Sequence, residues 1–126
     1  MVSRTEINAI TVAAEERERQ KHIAYEEGIK ENTRTYCSTT LSDNLKKEAD
    51  KPSRTFRIYT TMPDNDGDVY LYMTEGYYYK PMTEYRNFDT MVQFIRDHGF
   101  DVITSEDTVP KNSTRCYSAM CITIKW

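Results

Sequence analysis

The pattern of apolar and polar positions changes near residue 52. Before it, apolar residues recur at helical spacing, and from Arg54 onward they alternate with polar residues as in strands. Pro52 lies at the change, and a proline disfavours helical geometry in the residue before it. We therefore predict two parts, a helical arm of two helices over residues 1–52 and an α+β sheet domain over residues 53–126.

The first helix is predicted to begin at the capping-box sequence SRTE, residues 3–6. Charged residues in EERERQKH interrupt its apolar stripe, so the middle of the helix should lie in water. A kink or short loop is predicted near residues 31–38, before a second helix with Cys37, Leu41, Leu45 and Ala49 at i+4 spacing. A helix over residues 4–30 would be about 40 Å long, more than the sheet domain can cover. We therefore expect a dimer or higher homo-oligomer formed through Ile7, Ile10, Ala14, Tyr25 and Ile29.

The sheet domain is predicted to contain four or five antiparallel strands with one helix on their inner face. RTFRIYTTM and DVYLYM alternate as strands around the turn PDNDGD, with Val69, Leu71 and Met73 facing the core. A third strand, YYYKP, should end at Pro81. The strands FDVIT and CYSAMCITIKW should flank the polar loop SEDTVPKNST. The helix NFDTMVQFIRDHGF has Asn87 or Asp89 as its cap, Gly99 after its end and a buried stripe of Phe88, Met91, Val92 and Ile95.

The candidate binding site is the sheet face opposite this core. The side chains of Tyr70 and Tyr72 must project from that face if those of Val69, Leu71 and Met73 point inward. When the alternation of the other strands is matched to this one, Arg57, Tyr59, Tyr117 and Lys125 fall on the same face. Either Tyr78 with Lys80, or Tyr77 with Tyr79, joins them, depending on the register of the turn. The candidate partner-binding or ligand-binding residues are Arg57, Tyr59, Tyr70, Tyr72, Tyr77, Tyr78, Tyr79, Lys80, Tyr85 and Arg86.

We consider three alternative hypotheses for what covers this tyrosine-rich face. The chain's own N-terminal helices would make a helix–sheet–helix sandwich. A protein partner or second copy would use Tyr and Arg as interface anchors. A nucleotide would stack on the rings, with its phosphates near the cations. We expect contact with a partner, so that alanine at Tyr72 or Tyr78 weakens binding or self-association more than folding.

Charge and short motifs argue against several other functions. The net charge of −3 argues against duplex DNA as a partner. DNDGD lacks the glycine of an EF-hand, since position six counted from Asp64 is Val69, and we interpret it as a hairpin loop. The side chains of Cys116 and Cys121 should project from opposite faces of one strand, and neither histidine has a cysteine near it in the sequence. We therefore expect no metal and no cofactor. Cys37, Cys116 and Cys121 should be free thiols, as in cytoplasmic proteins.

The N-terminal sequence has no apolar run of the length needed for a signal peptide or membrane span. We therefore expect a soluble, cytoplasmic protein with no membrane partner. No sequence motif identifies a reaction, and no residue is nominated as catalytic.

The function predicted from these features is that of a non-catalytic binding protein which occupies a protein partner as an inhibitor or adaptor. Proteins of this kind include phage and mobile-element proteins that block host defence systems. The alternative is a protein that sequesters a nucleotide signal between tyrosines and Arg57, Lys80 or Arg86. A third hypothesis is a small enzyme of unknown reaction.

Overall fold

The computed structural model describes residues 1–126 and contains three helices and five strands. Helix α1 (Arg4–Tyr36) continues through a π-helical segment (Cys37–Leu41) into α2 (Ser42–Ala49). The remaining elements are β1 (Thr55–Thr60), β2 (Asp68–Glu75), β3 (Tyr78–Asn87), α3 (Phe88–Asp97), β4 (Asp101–Pro110) and β5 (Cys116–Lys125). The strands form one antiparallel sheet in the order β3-β2-β1-β5-β4. The predicted α+β class, with an N-terminal helical arm and one helix packed on the sheet, is confirmed.

Helix α1 begins as predicted and then continues further than the sequence indicated. The hydroxyl of Ser3 accepts a hydrogen bond from the amide of Glu6 at 3.1 Å and caps the helix. The loop predicted near residues 31–38 is not formed, and the interruption of the α-helix takes the form of the π-helical segment that begins at Cys37. Thr33 and Thr39 each donate a side-chain hydrogen bond to the carbonyl four residues earlier, so these residues satisfy their hydroxyls within the helix. None of the helices is long and apolar enough to cross a membrane.

The main core lies between one face of the sheet and the helices. It is formed by Cys37, Leu41, Ile58, Val69, Leu71, Phe88, Met91, Val92, Ile95, Val102, Ile122 and Ile124. The predicted stripe of α3 is buried, and Asn87 caps this helix by accepting from the amide of Thr90 at 3.0 Å. Gly99 follows its end with a φ of +91°, which suits glycine. Met73 is exposed, contrary to prediction, because it lies opposite Lys80 toward the tip of the β2–β3 hairpin.

Two strands are longer than predicted. β3 passes through Pro81, which lies opposite Tyr72, and does not end there. A proline is tolerated because β3 is an edge strand, so its missing N–H can face away from the ladder. β4 continues through most of the predicted polar loop to Pro110. It is the other edge strand, and with only Val102 and Val109 buried it can be largely polar.

The β2–β3 hairpin curls over the face of the sheet opposite α3. β1 pairs with β2 only at Thr60 and Leu71, and β3 contacts β4 although the two strands lie at opposite ends of the strand order. Beneath the hairpin, Val109, Ala119 and Cys121 are buried on the face opposite the main core. The sheet therefore has a packed layer on each of its faces.

Candidate functional site

Four tyrosines meet in this second layer and form what we call the tyrosine cluster: Tyr59, Tyr72, Tyr79 and Tyr117. The rings of Tyr59 and Tyr79 contact edge to face at 5.8 Å between centroids, and those of Tyr72 and Tyr117 are 5.2 Å apart. The hydroxyl of Tyr72 donates to the carbonyl of Ser118 at 3.4 Å. All four side chains are half-buried, and burial raises the pKa of Tyr59 and of Tyr72.

The chain's own β2–β3 hairpin covers much of the predicted tyrosine face. The ring of Tyr79 faces the cluster, whereas Tyr77 is at the hairpin tip and 90% exposed. Lys80 points to the other side of the hairpin, where it forms an ion pair with Glu75. Arg57 and Tyr78 are exposed. The predicted residues therefore do not form one continuous binding surface.

A second group of predicted residues lies beside α1, in a polar groove of about 530 Å³. Tyr85 lines this groove and stacks on Tyr70 with centroids 4.3 Å apart, and a hydrogen bond with Tyr70 raises the pKa of Tyr85 to about 12. The guanidinium of Arg86 lies 5.3 Å from the centre of the Tyr36 ring and donates to Glu84 at 2.8 Å. The groove is lined by Tyr25, Ile29, Asn32, Thr35, Tyr36, Thr39, Thr40, Glu84, Tyr85 and Arg86.

An apolar groove of about 520 Å³ between α2 and α3 was not predicted. Its apolar lining includes Leu41, Leu45, Ala49, Phe94, Phe100 and Trp126. The only sequence signal for it was the i+4 spacing of Cys37, Leu41, Leu45 and Ala49, which predicted a second helix and not an open groove.

Two reactive residue types, Cys37 and His98, also line this apolar groove. Burial raises the pKa of the Cys37 thiol to about 11, so it is protonated at neutral pH and is a poor nucleophile. His98 Nδ1 is engaged with the Phe94 carbonyl at 2.8 Å. The groove therefore suits an apolar partner better than a covalent reaction. All three cysteines are free, with Cys116 exposed and Cys121 buried.

The residues predicted to join subunits lie in two environments. Ile7, Ile10 and Tyr25 are exposed on α1, and Ala14 is half-buried. Ile29 is only 6% exposed because α1 reaches β3 at this level. Ile29 packs within its own chain and is not available to a partner.

Side chains from α1 also meet the β1–β2 loop. Asp64 Oδ1 accepts the amides of Asp66 at 2.9 Å and Asp68 at 3.0 Å, which confirms a hairpin loop. His22 Nε2 lies 3.9 Å from Asp66 Oδ1. Burial, and then the carboxylates of Asp68 and Asp66, raise the pKa of Glu26. The sequence did not predict this contact between α1 and the β1–β2 loop, because the two elements lie far apart in the chain.

Three surfaces are thus open to a partner or ligand: the exposed part of α1, the apolar groove and the polar groove. The tyrosine cluster differs from them because its rings already contact one another. Comparisons of the chain with protein-family models, with curated proteins and with solved structures gave no match in any of the three.

Proposed function

We propose that this protein is a non-catalytic binding protein that acts by occupying another protein, as an inhibitor or adaptor. The observation that carries the proposal is the projecting segment of α1, Arg4–Gly28, in which only Ala14 and Glu26 are not exposed. This segment presents the large apolar side chains Ile7, Ile10, Val12, Ile23 and Tyr25 to solvent. Apolar side chains arranged on an exposed helix are typical of a surface that another chain covers.

The length of the projecting segment supports this proposal. At 1.5 Å per residue it is about 38 Å long, and about 27 Å of it, residues 4–21, lies before the contacts of His22 and Glu26 with the β1–β2 loop. The body (residues 29–126) should have a radius of gyration of only about 13 Å. Surface ion pairs such as Glu16 with Arg19 and Glu18 with Lys21 each stabilise a helix by about 0.2–0.5 kcal/mol. A partner that buries the apolar side chains would add more stability than these pairs do.

The projecting segment has two apolar faces. Because successive residues are about 100° apart around a helix, Ile7, Ile10, Ala14 and Tyr25 share one face. Val12 and Ile23 lie on the opposite face. We propose that the first face pairs with a second copy of the chain and that the second face contacts the protein that is inhibited or recruited.

Self-association should depend on the first face only. We expect wild-type protein to be a dimer or higher oligomer at tens of micromolar, and Ile10→Asp to be a monomer because it places a charge in the paired face. Val12→Asp is the matched control, since the two side chains are 61% and 62% exposed. Sedimentation velocity and native mass spectrometry measure the result. A monomeric wild-type protein, or equal dissociation of both variants, would contradict self-association through this face.

Partner binding should depend on the second face. Immobilised wild-type chain should retain a partner protein from a lysate of the cells in which the chain acts. The amount of partner retained by Ile23→Asp should be at least tenfold lower. The control is Ile103→Asp, which replaces an exposed isoleucine on β4 of the body. Retention by Ile103→Asp with loss in Ile23→Asp is the expected result. Equal recovery with all three proteins would refute the assignment of the partner to this segment.

The alternative function, sequestering of a nucleotide signal, is supported by the polar groove. Tyr36 and Tyr85 provide rings there, Arg86 provides a cation, and threonine hydroxyls line the wall. Glu84 offsets the charge of Arg86, which weakens the attraction for phosphate. A nucleotide retained in the native mass spectra would favour this alternative.

A further inference from the structure

We propose that a divalent cation binds where the projecting segment meets the body, held by His22, Glu26 and Asp66 with the carboxylate of Asp68 behind them. The site would join α1 to the β1–β2 loop. The proposal is independent of what the projecting segment binds.

The first argument is the convergence of two kinds of ligand from two elements. His22 and Glu26 are one turn apart on α1 and therefore lie on the same face of the helix. The nitrogen of His22 and the carboxylate oxygens of Glu26 and Asp66 all lie within 4.8 Å of one another. Around a tetrahedral zinc ion, ligand atoms at about 2.1 Å from the metal are about 3.4 Å apart. Small side-chain rotations of the exposed His22 and Asp66 would close this difference.

The second argument is the buried carboxylate of Asp68. This residue is only 4% exposed, and one of its oxygens accepts from Asn87 Nδ2 at 3.2 Å. Its other oxygen has no donor from the protein but keeps some exposure to solvent, and the carboxyl of Glu26 lies beside it. A buried carboxylate is costly unless a donor or a cation compensates for its lost hydration.

No side-chain cation of the chain supplies that compensation. The ion pairs of the protein include none between a lysine or arginine and Glu26, Asp64, Asp66 or Asp68. His22 is the only basic group paired with any of them. A metal ion would bind these groups together and lower their mutual repulsion.

The ligand types indicate a transition metal such as Zn²⁺ or Mn²⁺. A site made of the loop alone would contain Asp64, Asp66 and Asp68, whose oxygens also lie within 4.8 Å of one another. However, Asp64 Oδ1 already accepts two backbone amides, so it serves the turn. Imidazole with carboxylates suits Zn²⁺ and Mn²⁺ better than Ca²⁺.

The test is calorimetric titration of the full chain with Zn²⁺, and with Ca²⁺ in parallel, in a Cys116→Ser background that removes the exposed thiol. We expect one Zn²⁺ per chain and no comparable binding of Ca²⁺. His22→Ala and Asp66→Asn should each lower the affinity for Zn²⁺ by more than about tenfold, because even loss of an outer-shell partner costs 10–100-fold. His98→Ala, which removes the other histidine, should bind as tightly as the parent.

The same proteins should differ in melting temperature. Zn²⁺ should raise the Tm of the parent and of His98→Ala, and should not raise that of His22→Ala or Asp66→Asn. Circular dichroism without metal serves as the folding control, since His22 and Asp66 are exposed. Absence of Zn²⁺ binding by the parent, or unchanged binding by His22→Ala, would overturn the proposal. So would a tight Ca²⁺ site that survives His22→Ala, which would belong to the loop alone.

Discussion

Replacing Leu41 with alanine should lower the free energy of unfolding by about 2–5 kcal/mol. Leu41 is 1% exposed, lies in the π-helical segment and belongs to the main core with Met91 and Ile122. Its truncation removes apolar contacts and leaves a cavity that the rigid sheet and α3 can only partly fill. Urea unfolding followed by circular dichroism measures the loss as a lower midpoint.

Leu45→Ala is the matched control for this experiment. Both side chains line the apolar groove, but Leu45 is only half-buried, so its truncation opens space that water can enter. We expect a loss of about 1 kcal/mol, the size typical of single substitutions. Equal losses in both variants would mean that Leu41 is not packed more tightly than Leu45.

Replacing Tyr72 with alanine should be the second most disruptive change, with a loss of about 2 kcal/mol. It removes the ring that packs on Tyr117 and the hydrogen bond to Ser118. Tyr78→Ala should change stability by no more than about 0.5 kcal/mol, because Tyr78 is exposed. The sequence predicted the same behaviour for both residues, whereas the structure distinguishes them.

Tyr72→Phe separates the ring from its hydroxyl. We expect it to lose less than about 1 kcal/mol, because a neutral hydrogen bond of 3.4 Å is weak. Thermal melts of the three variants test these expectations. A wild-type melt for Tyr72→Ala together with lost partner binding would instead assign this ring to an interface, as the sequence interpretation expected.

The fold class could be predicted because its signals are local. Alternation placed Val69 and Leu71 inward, and the caps of α1 and α3 followed from Ser3 and Asn87. Each of these depends on residues a few positions apart, where backbone geometry alone decides the contact.

The strand ends and the candidate site were harder to predict because they depend on position in the sheet. Pro81 would end a central strand, but β3 is an edge. Alternation also predicts the face from which the Tyr72 side chain projects. It does not predict that the β2–β3 hairpin curls over the sheet and brings this ring into contact with Tyr117. Likewise, no local pattern brings His22 to Asp66.

The π-helical segment holds one extra residue and still preserves the rotational phase between the projecting segment and the body. A π-helical turn contains one residue more than an α-helical turn. Here the Ser42 hydroxyl donates a hydrogen bond to the carbonyl of Cys37, five residues earlier, at 2.7 Å. Deleting one residue from Ser38–Thr40 would restore an uninterrupted α-helix and leave the projecting segment in nearly the same rotational phase. Deleting one α-helical residue of α1 just after Gly28 would instead turn the projecting segment by about 100°, so that both of its apolar faces point in new directions. Length variation in the π-helical segment would therefore preserve the direction of binding, whereas length variation in α1 would redirect it.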